Sequence, residues 1–126
     1  MQDKLFETAF CRVEYLREYD AVFCRWKQFC HAAEYRSPLE YGLKLLEETQ
    51  AQHWITDTSE GFESDPSDTL WMVETFLPLT LQSNCKTVTF IIDDDSPLKE
   101  EIDTQAEALS QYFTVRKIKR LDAFED

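Results

Sequence analysis

Three of the four prolines in this 126-residue chain directly follow a serine or an aspartate, in the pairs Ser37-Pro38, Asp65-Pro66 and Ser96-Pro97. A serine or aspartate side chain caps the unpaired N–H groups at the start of a helix. Proline suits the first helical position because its missing N–H would have no helical partner there. Leucines and isoleucines follow each pair at helical spacing. The three pairs therefore predict three helices, and the segments between them must supply any strands.

The second predicted helix has the longest apolar stripe. The stripe consists of Leu70, Val73, Leu77 and Leu81, and we expect it to face the core. Pro78 lies inside this helix and removes one backbone donor. We therefore expect the helix to kink there or to shift its later turns.

The segments around the predicted helices are rich in β-branched and aromatic residues, as strands are. Residues 11–16 alternate apolar and polar side chains, and the short break after them predicts an antiparallel hairpin with residues 21–27. Residues 53–58 and 86–93 are apolar enough to form buried strands. Residues 113–119 also alternate, and their lysines are typical of an edge strand.

The predicted order of elements is β-β-α-β-α-β-α-β, without an internal repeat or a linker. This order predicts an α/β fold, with a mixed sheet of about five strands, right-handed crossovers and helices packed on the sheet. A content of only two glycines and four prolines argues against a turn-rich all-β fold. We therefore expect residues 1–126 to form a single domain with a core over residues 11–120.

The chain is strongly acidic, with a formal net charge of −12. Its lysines and arginines are mixed with acids and form no basic stripe, so we expect neither nucleic acid nor an anionic membrane surface as a partner. A basic protein partner is allowed, although solubility is the simpler reason for the charge. No segment approaches the ~20 apolar residues of a membrane helix, and no signal peptide is evident. We therefore expect a cytoplasmic protein without membrane insertion.

The residue types that usually carry catalysis or metal binding are sparse. The four cysteines include no C-x-x-C pair and are interpreted as small buried hydrophobes. Two histidines are too few for a histidine-based metal cluster, and two glycines cannot build a phosphate-binding loop. We expect no metal and no cofactor. A catalytic pair of Cys30 with His53 remains an alternative to a simple buried cysteine. The run Asp93-Asp94-Asp95 could bind Mg²⁺, or form the solvated loop that we favour.

The candidate site is the junction between the third predicted strand and the second predicted helix. Asp57 and Thr58 end the strand, and Asp65 and Ser67 open the helix, where free N–H groups and the positive end of the helix dipole lie. A phosphate on Ser67 would be stabilised by that dipole, although Asp65 and Asp68 would repel it. Plain helix capping is the alternative. The residues proposed as an interaction surface or phosphorylation site are Asp57, Thr58, Ser59, Phe62, Asp65 and Ser67.

The element order, with an aspartate at the end of the third strand, resembles the STAS fold of anti-sigma-factor antagonists and sulfate-transporter tails. Within that fold, residues 11–120 resemble small bacterial SpoIIAA-like proteins of the STAS/SEC14 type. The residues that carry this resemblance are Trp54-Ile55-x-Asp57-Thr58, Trp71, Phe76-Leu77-Pro78 and Lys86.

The resemblance implies roles for individual residues. Asp57 matches the aspartate that ends the strand in STAS antagonists, and Asp65 matches a second aspartate before the helix. Ser67 falls on the position of the serine that is phosphorylated in those proteins. Pro66 and Asp68 stand where the family has serine and glycine, and these departures argue against kinase-controlled antagonism.

Three functional hypotheses follow. The leading one is a non-enzymatic regulatory or protein-interaction module, with residues 57–68 as the contact surface, a protein as the partner, and a homodimer also allowed. The second is a SEC14-type binding domain for a small apolar or lipid-like ligand, for which a cavity between sheet and helices is the expected signature. The third is a small enzyme that uses Asp57 with His53, or the Asp93-Asp94-Asp95 run.

Overall fold

The computed structural model describes residues 5–61 and 65–124 and contains one mixed sheet of six strands. The strands lie side by side in sequence order. They are β1 (Leu5–Glu7), β2 (Cys11–Leu16), β3 (Ala21–Trp26), β4 (His53–Asp57), β5 (Thr87–Ile91) and β6 (Thr114–Ile118). The first three strands pair antiparallel, and β3 to β6 pair parallel. The predicted α/β class, the mixed sheet, the hairpin and the edge position of the last strand are therefore confirmed.

The sequence prediction missed β1. This strand has only three residues, which is too short for an alternation to stand out. It forms because Leu5, Phe6 and Glu7 pair with the exposed edge of β2.

The helices connect the parallel strands. Helix α1 (Ala33–Thr49) joins β3 to β4, and α4 (Lys99–Leu109) joins β5 to β6. The connection from β4 to β5 is a continuous helical segment of three parts, namely α2 (Pro66–Trp71), a π-helical turn (Met72–Phe76) and α3 (Leu77–Leu81). No helix in the described ranges has both the length and the apolar character to cross a membrane.

Helix α1 begins at Ala33, five residues before the predicted first helical residue Pro38, so that prediction was wrong. Pro38 lies inside the helix and leaves the carbonyl of Glu34 without its usual N–H donor. The thiol of Cys30 donates to that carbonyl over 3.6 Å. This side-chain donor helps the helix to continue through a proline that sequence rules place at its start.

The other two predicted helix starts are close to the observed ones. Asp65 caps α2, because its carboxylate accepts a hydrogen bond of 2.9 Å from the Ser67 backbone N–H. The Ser96 hydroxyl accepts from the backbone N–H of Leu98 over 3.1 Å, and α4 begins one residue later.

The connecting helices pack on one face of the sheet, here called the helical face. The parallel strands follow one another in a single direction, so right-handed crossovers place every connection on the same side. The side chains of α1 and α4 accordingly share one buried cluster with side chains from β2 to β5, among them Leu45, Ile102, Trp54 and Phe90.

The opposite face of the sheet carries a smaller apolar cluster. It contains Ala21, Phe23, Ile55, Ile91 and Phe124. A short 3-10 turn (Leu121–Ala123) after β6 brings Phe124 onto this face. Because neighbouring residues of a strand point to opposite faces, the chain must supply both clusters from the same short strands.

Of the apolar stripe predicted for the second helix, only Leu77 faces the core. Leu70, Val73 and Leu81 are exposed by 57%, 49% and 42%. The other side chains directed inward are Asp68, Met72, Phe76 and Thr80, spaced four residues apart. The π turn has a hydrogen bond from Leu77 N to Met72 O, five residues back, and this wider turn suits a spacing of four better than the α-helical period does. The turn ends two residues before Pro78, where sequence analysis expects a shift of the later turns.

Candidate functional site

The helical face of the sheet forms one side of a cavity of about 100 Å³ that is partly open to solvent. Its floor is formed by Trp26 of β3, Trp54 of β4, and Val88 and Phe90 of β5. Its walls come from α1, from the π turn with α3, and from α4. A cavity of this size holds roughly three water molecules at liquid density, and its volume approaches the ~150 Å³ of an apolar cavity that can bind benzene.

Aromatic rings define the shape of the floor. The Trp54 ring lies edge-on to Phe76 with centroids 5.4 Å apart, and the Trp26 ring stacks on Tyr35 at 5.1 Å. Trp54 also lies directly against the backbone of α1 at Gly42, where a Cβ atom would be 2.3 Å from Trp54 Cη2. Glycine is therefore required at this position in the middle of a helix.

Three threonine hydroxyl groups line the cavity, and each hydrogen-bonds within the protein. Trp54 Nε1 donates to Thr56 Oγ1 over 2.8 Å. The Thr58 hydroxyl donates to the backbone oxygen of Ile91 over 2.7 Å, and the Thr80 hydroxyl donates to that of Phe76 over 2.9 Å. The other side chains of the lining that carry polar atoms are Trp26, Tyr35, Glu101 and Gln105. The site is thus mainly apolar, with a few polar groups that can orient a ligand.

The predicted junction contributes one end of this cavity. Thr58 is buried and lines it together with Gly61. A Cβ atom on Gly61 would lie 3.0 Å from Leu98 Cδ1, so glycine allows the loop to pass close to α4. The predicted junction therefore contributes one of its named site residues, Thr58, to the cavity lining.

The other predicted site residues lie outside the cavity lining. Asp57 Oδ1 accepts hydrogen bonds from the backbone N–H and the hydroxyl of Ser59. Asp65 Oδ1 accepts from the backbone N–H and the hydroxyl of Ser67, over 2.9 and 2.6 Å. These Ser67 hydrogen bonds lower the pKa of Asp65. Phe62 lies outside the described residues. Thr58 thus lines the cavity, whereas Asp57 with Ser59 and Asp65 with Ser67 form two hydrogen-bonded turns at the surface.

Asp68 has a different place from the one that the sequence suggests. It is fully buried, and its carboxylate accepts from the backbone N–H of Ala32 and from Arg36 Nε at 3.0 and 3.1 Å. The Arg36 guanidinium lies over the Trp71 ring at 5.5 Å. Asp68 therefore joins the start of α2 to the start of α1 and supports one wall of the cavity. It is not available as an exposed acid beside Ser67.

The structure does not bring Cys30 and His53 together as a catalytic pair. Cys30 donates to Glu34 O, whereas His53 packs edge-on to Phe124 on the opposite face of the sheet. Burial raises the pKa of the Cys30 thiol to about 12 and that of Cys85 to about 11. Both thiols are therefore protonated near neutral pH and are poor nucleophiles.

The acidic groups considered for catalysis or Mg²⁺ binding do not meet in the cavity. Asp93, Asp94 and Asp95 are exposed, and Asp94 pairs with Lys119 at 2.9 Å, which lowers the pKa of Asp94. His53 and Asp57 do not belong to the cavity lining. Within the described ranges, no group of three His, Cys, Asp or Glu side chains is arranged to hold a metal ion.

Sequence reasoning missed the groups that shape the cavity. Glu101 and Gln105 are four residues apart on α4 and look like ordinary surface residues in the sequence. One sequence signal was available. The chain has only two glycines, and at both of them a Cβ atom would lie within 3.0 Å of a neighbouring group beside the cavity. No protein-family model matches the sequence, and no curated protein matches it significantly.

Proposed function

We propose that the protein is a non-enzymatic binding domain for a small, mainly apolar molecule held in the cavity between the sheet and the helices. The observation that carries this proposal is the cavity itself, with aromatic and aliphatic walls and few polar groups. Such a lining is typical of small-molecule sites in proteins.

The composition of the lining favours an apolar occupant. A ligand in the cavity would remove apolar surface of the aromatic floor from water. Such burial stabilises a complex by roughly 25 cal/mol per Å² of apolar surface.

A thermal-shift experiment with a panel of small apolar molecules tests the proposal. A ligand that binds only the folded protein raises the melting temperature by mass action. Val88→Phe should fill the floor of the cavity and abolish the shift, whereas Val73→Phe, the same substitution on the exposed side of the π turn, should preserve it. Native mass spectrometry of protein purified from cells then identifies any retained molecule. Equal shifts in wild type and Val88→Phe, or no shift with any compound, would refute cavity binding.

We also propose that the α/β fold is of the STAS type, as the sequence resemblance suggests. The order of the elements supports this assignment, as do Asp57 at the end of β4 and Asp65 at the start of α2. An experimental structure superposed on STAS domains would test it. A different strand order or helices on both faces of the sheet would exclude it.

The protein-interaction hypothesis is a second candidate, and one observation favours it. Leu70, Val73 and Leu81 project from one continuous helical segment into solvent, directly after the predicted contact segment. Given the net charge of −12, the fitting partner is a protein whose apolar patch is bordered by lysines and arginines.

This candidate predicts that Leu70→Ser with Val73→Ser weakens binding to such a partner, measured by quantitative pull-down at several salt concentrations. Tyr112→Ser, which removes an equally exposed apolar side chain beyond α4, is the matched control. Partner binding that is equal in all variants would contradict the candidate, as would sedimentation showing that the surface joins two copies of this chain.

A further inference from the structure

We propose that the ligand of the cavity is an uncharged molecule with one hydroxyl group, of the alcohol or phenol class. This inference rests on the proposed binding function and specifies the chemistry of the same site. It follows from the hydrogen-bonding capacity that remains in the cavity after the internal bonds are formed.

Thr56 places a hydrogen-bond donor beside the floor of the cavity. Its oxygen accepts from Trp54 Nε1 over 2.8 Å, and its own proton makes no hydrogen bond to the part of the chain that the structure describes. The protons of Thr58 and Thr80 are both donated to backbone oxygens. Because Thr56 already accepts a hydrogen bond, its hydroxyl is polarised and becomes a better donor. A ligand atom at this position must therefore be an acceptor.

Acceptors in the lining include the hydroxyl oxygens of Thr58 and Thr80 and the oxygen of the Gln105 amide. Trp26, Tyr35 and Glu101 also carry polar atoms, and each already interacts within the protein. An anionic ligand would meet the Glu101 carboxylate in an apolar site of a protein with net charge −12. A hydroxyl group fits best, because it accepts from Thr56 and donates to one of the acceptors without bringing in a charge.

A matched series of aromatic probes tests this assignment by calorimetric titration near neutral pH. The probes are para-cresol, para-xylene, para-toluate and para-methylbenzylamine, which share one ring and differ in a hydroxyl, a methyl, a carboxylate and an amine. Para-cresol should bind roughly five- to tenfold more tightly than para-xylene, as expected for one hydrogen bond. Para-toluate should bind most weakly.

The variants locate the recognition at Thr56. Thr56→Val should lower the affinity for para-cresol to that of para-xylene and leave para-xylene within about twofold of wild type. Thr56→Ser should restore the preference for para-cresol, and Thr75→Val on the exposed side of the π turn should preserve it.

The outcomes separate this inference from the binding function. Equal binding of para-cresol and para-xylene, or tightest binding of para-toluate or the amine, would overturn the hydroxyl assignment and leave apolar binding in place. Failure of every probe to bind would overturn both. A preference for para-cresol that persists in Thr56→Val would exclude Thr56 as the donor.

Discussion

At the scale of single residues, the properties of Gly42 and His53 depend on contacts with residues that are distant in the sequence. Gly42 lowers the intrinsic helix propensity of α1 by about 1 kcal/mol relative to alanine. Its lack of a Cβ atom is what lets the Trp54 ring lie against the helix. The packing of one tryptophan in the cavity floor thus outweighs the propensity of the helix.

Gly42→Ala should therefore destabilise the protein by about 1–3 kcal/mol, because the new Cβ would overlap the Trp54 ring. Chemical denaturation of the wild type and the variant measures this loss. In a Trp54→Phe background the same substitution should be neutral or stabilising, since the atom that it strikes is gone. A loss of equal size in both backgrounds would show that the clash with Trp54 is not the cause.

His53 predicts a pH dependence of stability. Burial lowers its pKa, and Arg116 adds to the effect while Asp20 opposes it. The unfolded chain therefore binds a proton more readily than the folded protein, so stability falls as pH drops below the ordinary histidine value of 6.5. The carboxylates with lowered pKa values, such as Asp103 and Asp94, lose their contribution only at lower pH, below their ordinary value of 3.8.

Urea unfolding measured across this pH range would resolve the two windows. We expect His53→Gln to remove the dependence that begins below pH 6.5 and to leave the more acidic part unchanged. His31, which is exposed, provides the matched control through His31→Gln. A His53→Gln profile identical to that of the wild type would contradict the assignment.

At the scale of elements, the segment from α2 to α3 shows that an apolar repeat can predict a helix correctly and still predict the wrong buried side. The spacing of Leu70, Val73, Leu77 and Leu81 correctly indicates a helix. It does not indicate which side is buried, because Asp68, Met72, Phe76 and Thr80 form a second, mixed stripe. Asp68 accepts hydrogen bonds from the start of α1, and that contact orients the helix in a way that hydrophobicity alone would not suggest.

The relative stability effects of two alanine substitutions test this orientation. Val73→Ala should change the free energy of unfolding by less than about 0.5 kcal/mol, because the side chain is exposed. Phe76→Ala should cost about 2 kcal/mol or more, because its ring contacts Trp54 and lines the cavity. The reverse order in chemical denaturation would place the leucine and valine stripe in the core.

At the scale of the whole molecule, the sheet is covered unequally. Helices cover one face, and on the other face Phe124 packs beside Ile55 and Ile91 at the far end of the chain. The Phe124 ring also lies edge-on to Tyr19 at 5.4 Å and under the Arg116 guanidinium at 5.1 Å. The end of the chain therefore contributes to the core of the second face.

Phe124→Ala should lower the free energy of unfolding by about 3 kcal/mol, since a buried aromatic ring is removed from an apolar cluster. Tyr112→Ala, at an exposed aromatic near the same end of the chain, should have little effect. Denaturant melts of both variants provide the measurement. Similar small effects would mean that Phe124 adds little to the stability of the second face.

The amino-acid sequence by itself determined the order of the helices and of strands β2 to β6, the α/β class and the start of α2 at Asp65-Pro66. Periodicity and helix caps act between residues that are near in the chain, so they can be recognised without a structure. The sequence also pointed to the segment with Thr58, which lies at one end of the cavity.

Only the tertiary structure decided which side of the second helix is buried, where α1 begins and where the sheet leaves a cavity. Each of these depends on groups far apart in sequence: Asp68 with Ala32, Trp54 with Gly42, and Gly61 with Leu98. Contacts of this kind arise from packing between elements, and no local pattern records them. The candidate site is therefore a property of the folded chain, while the elements that surround it are readable from the sequence.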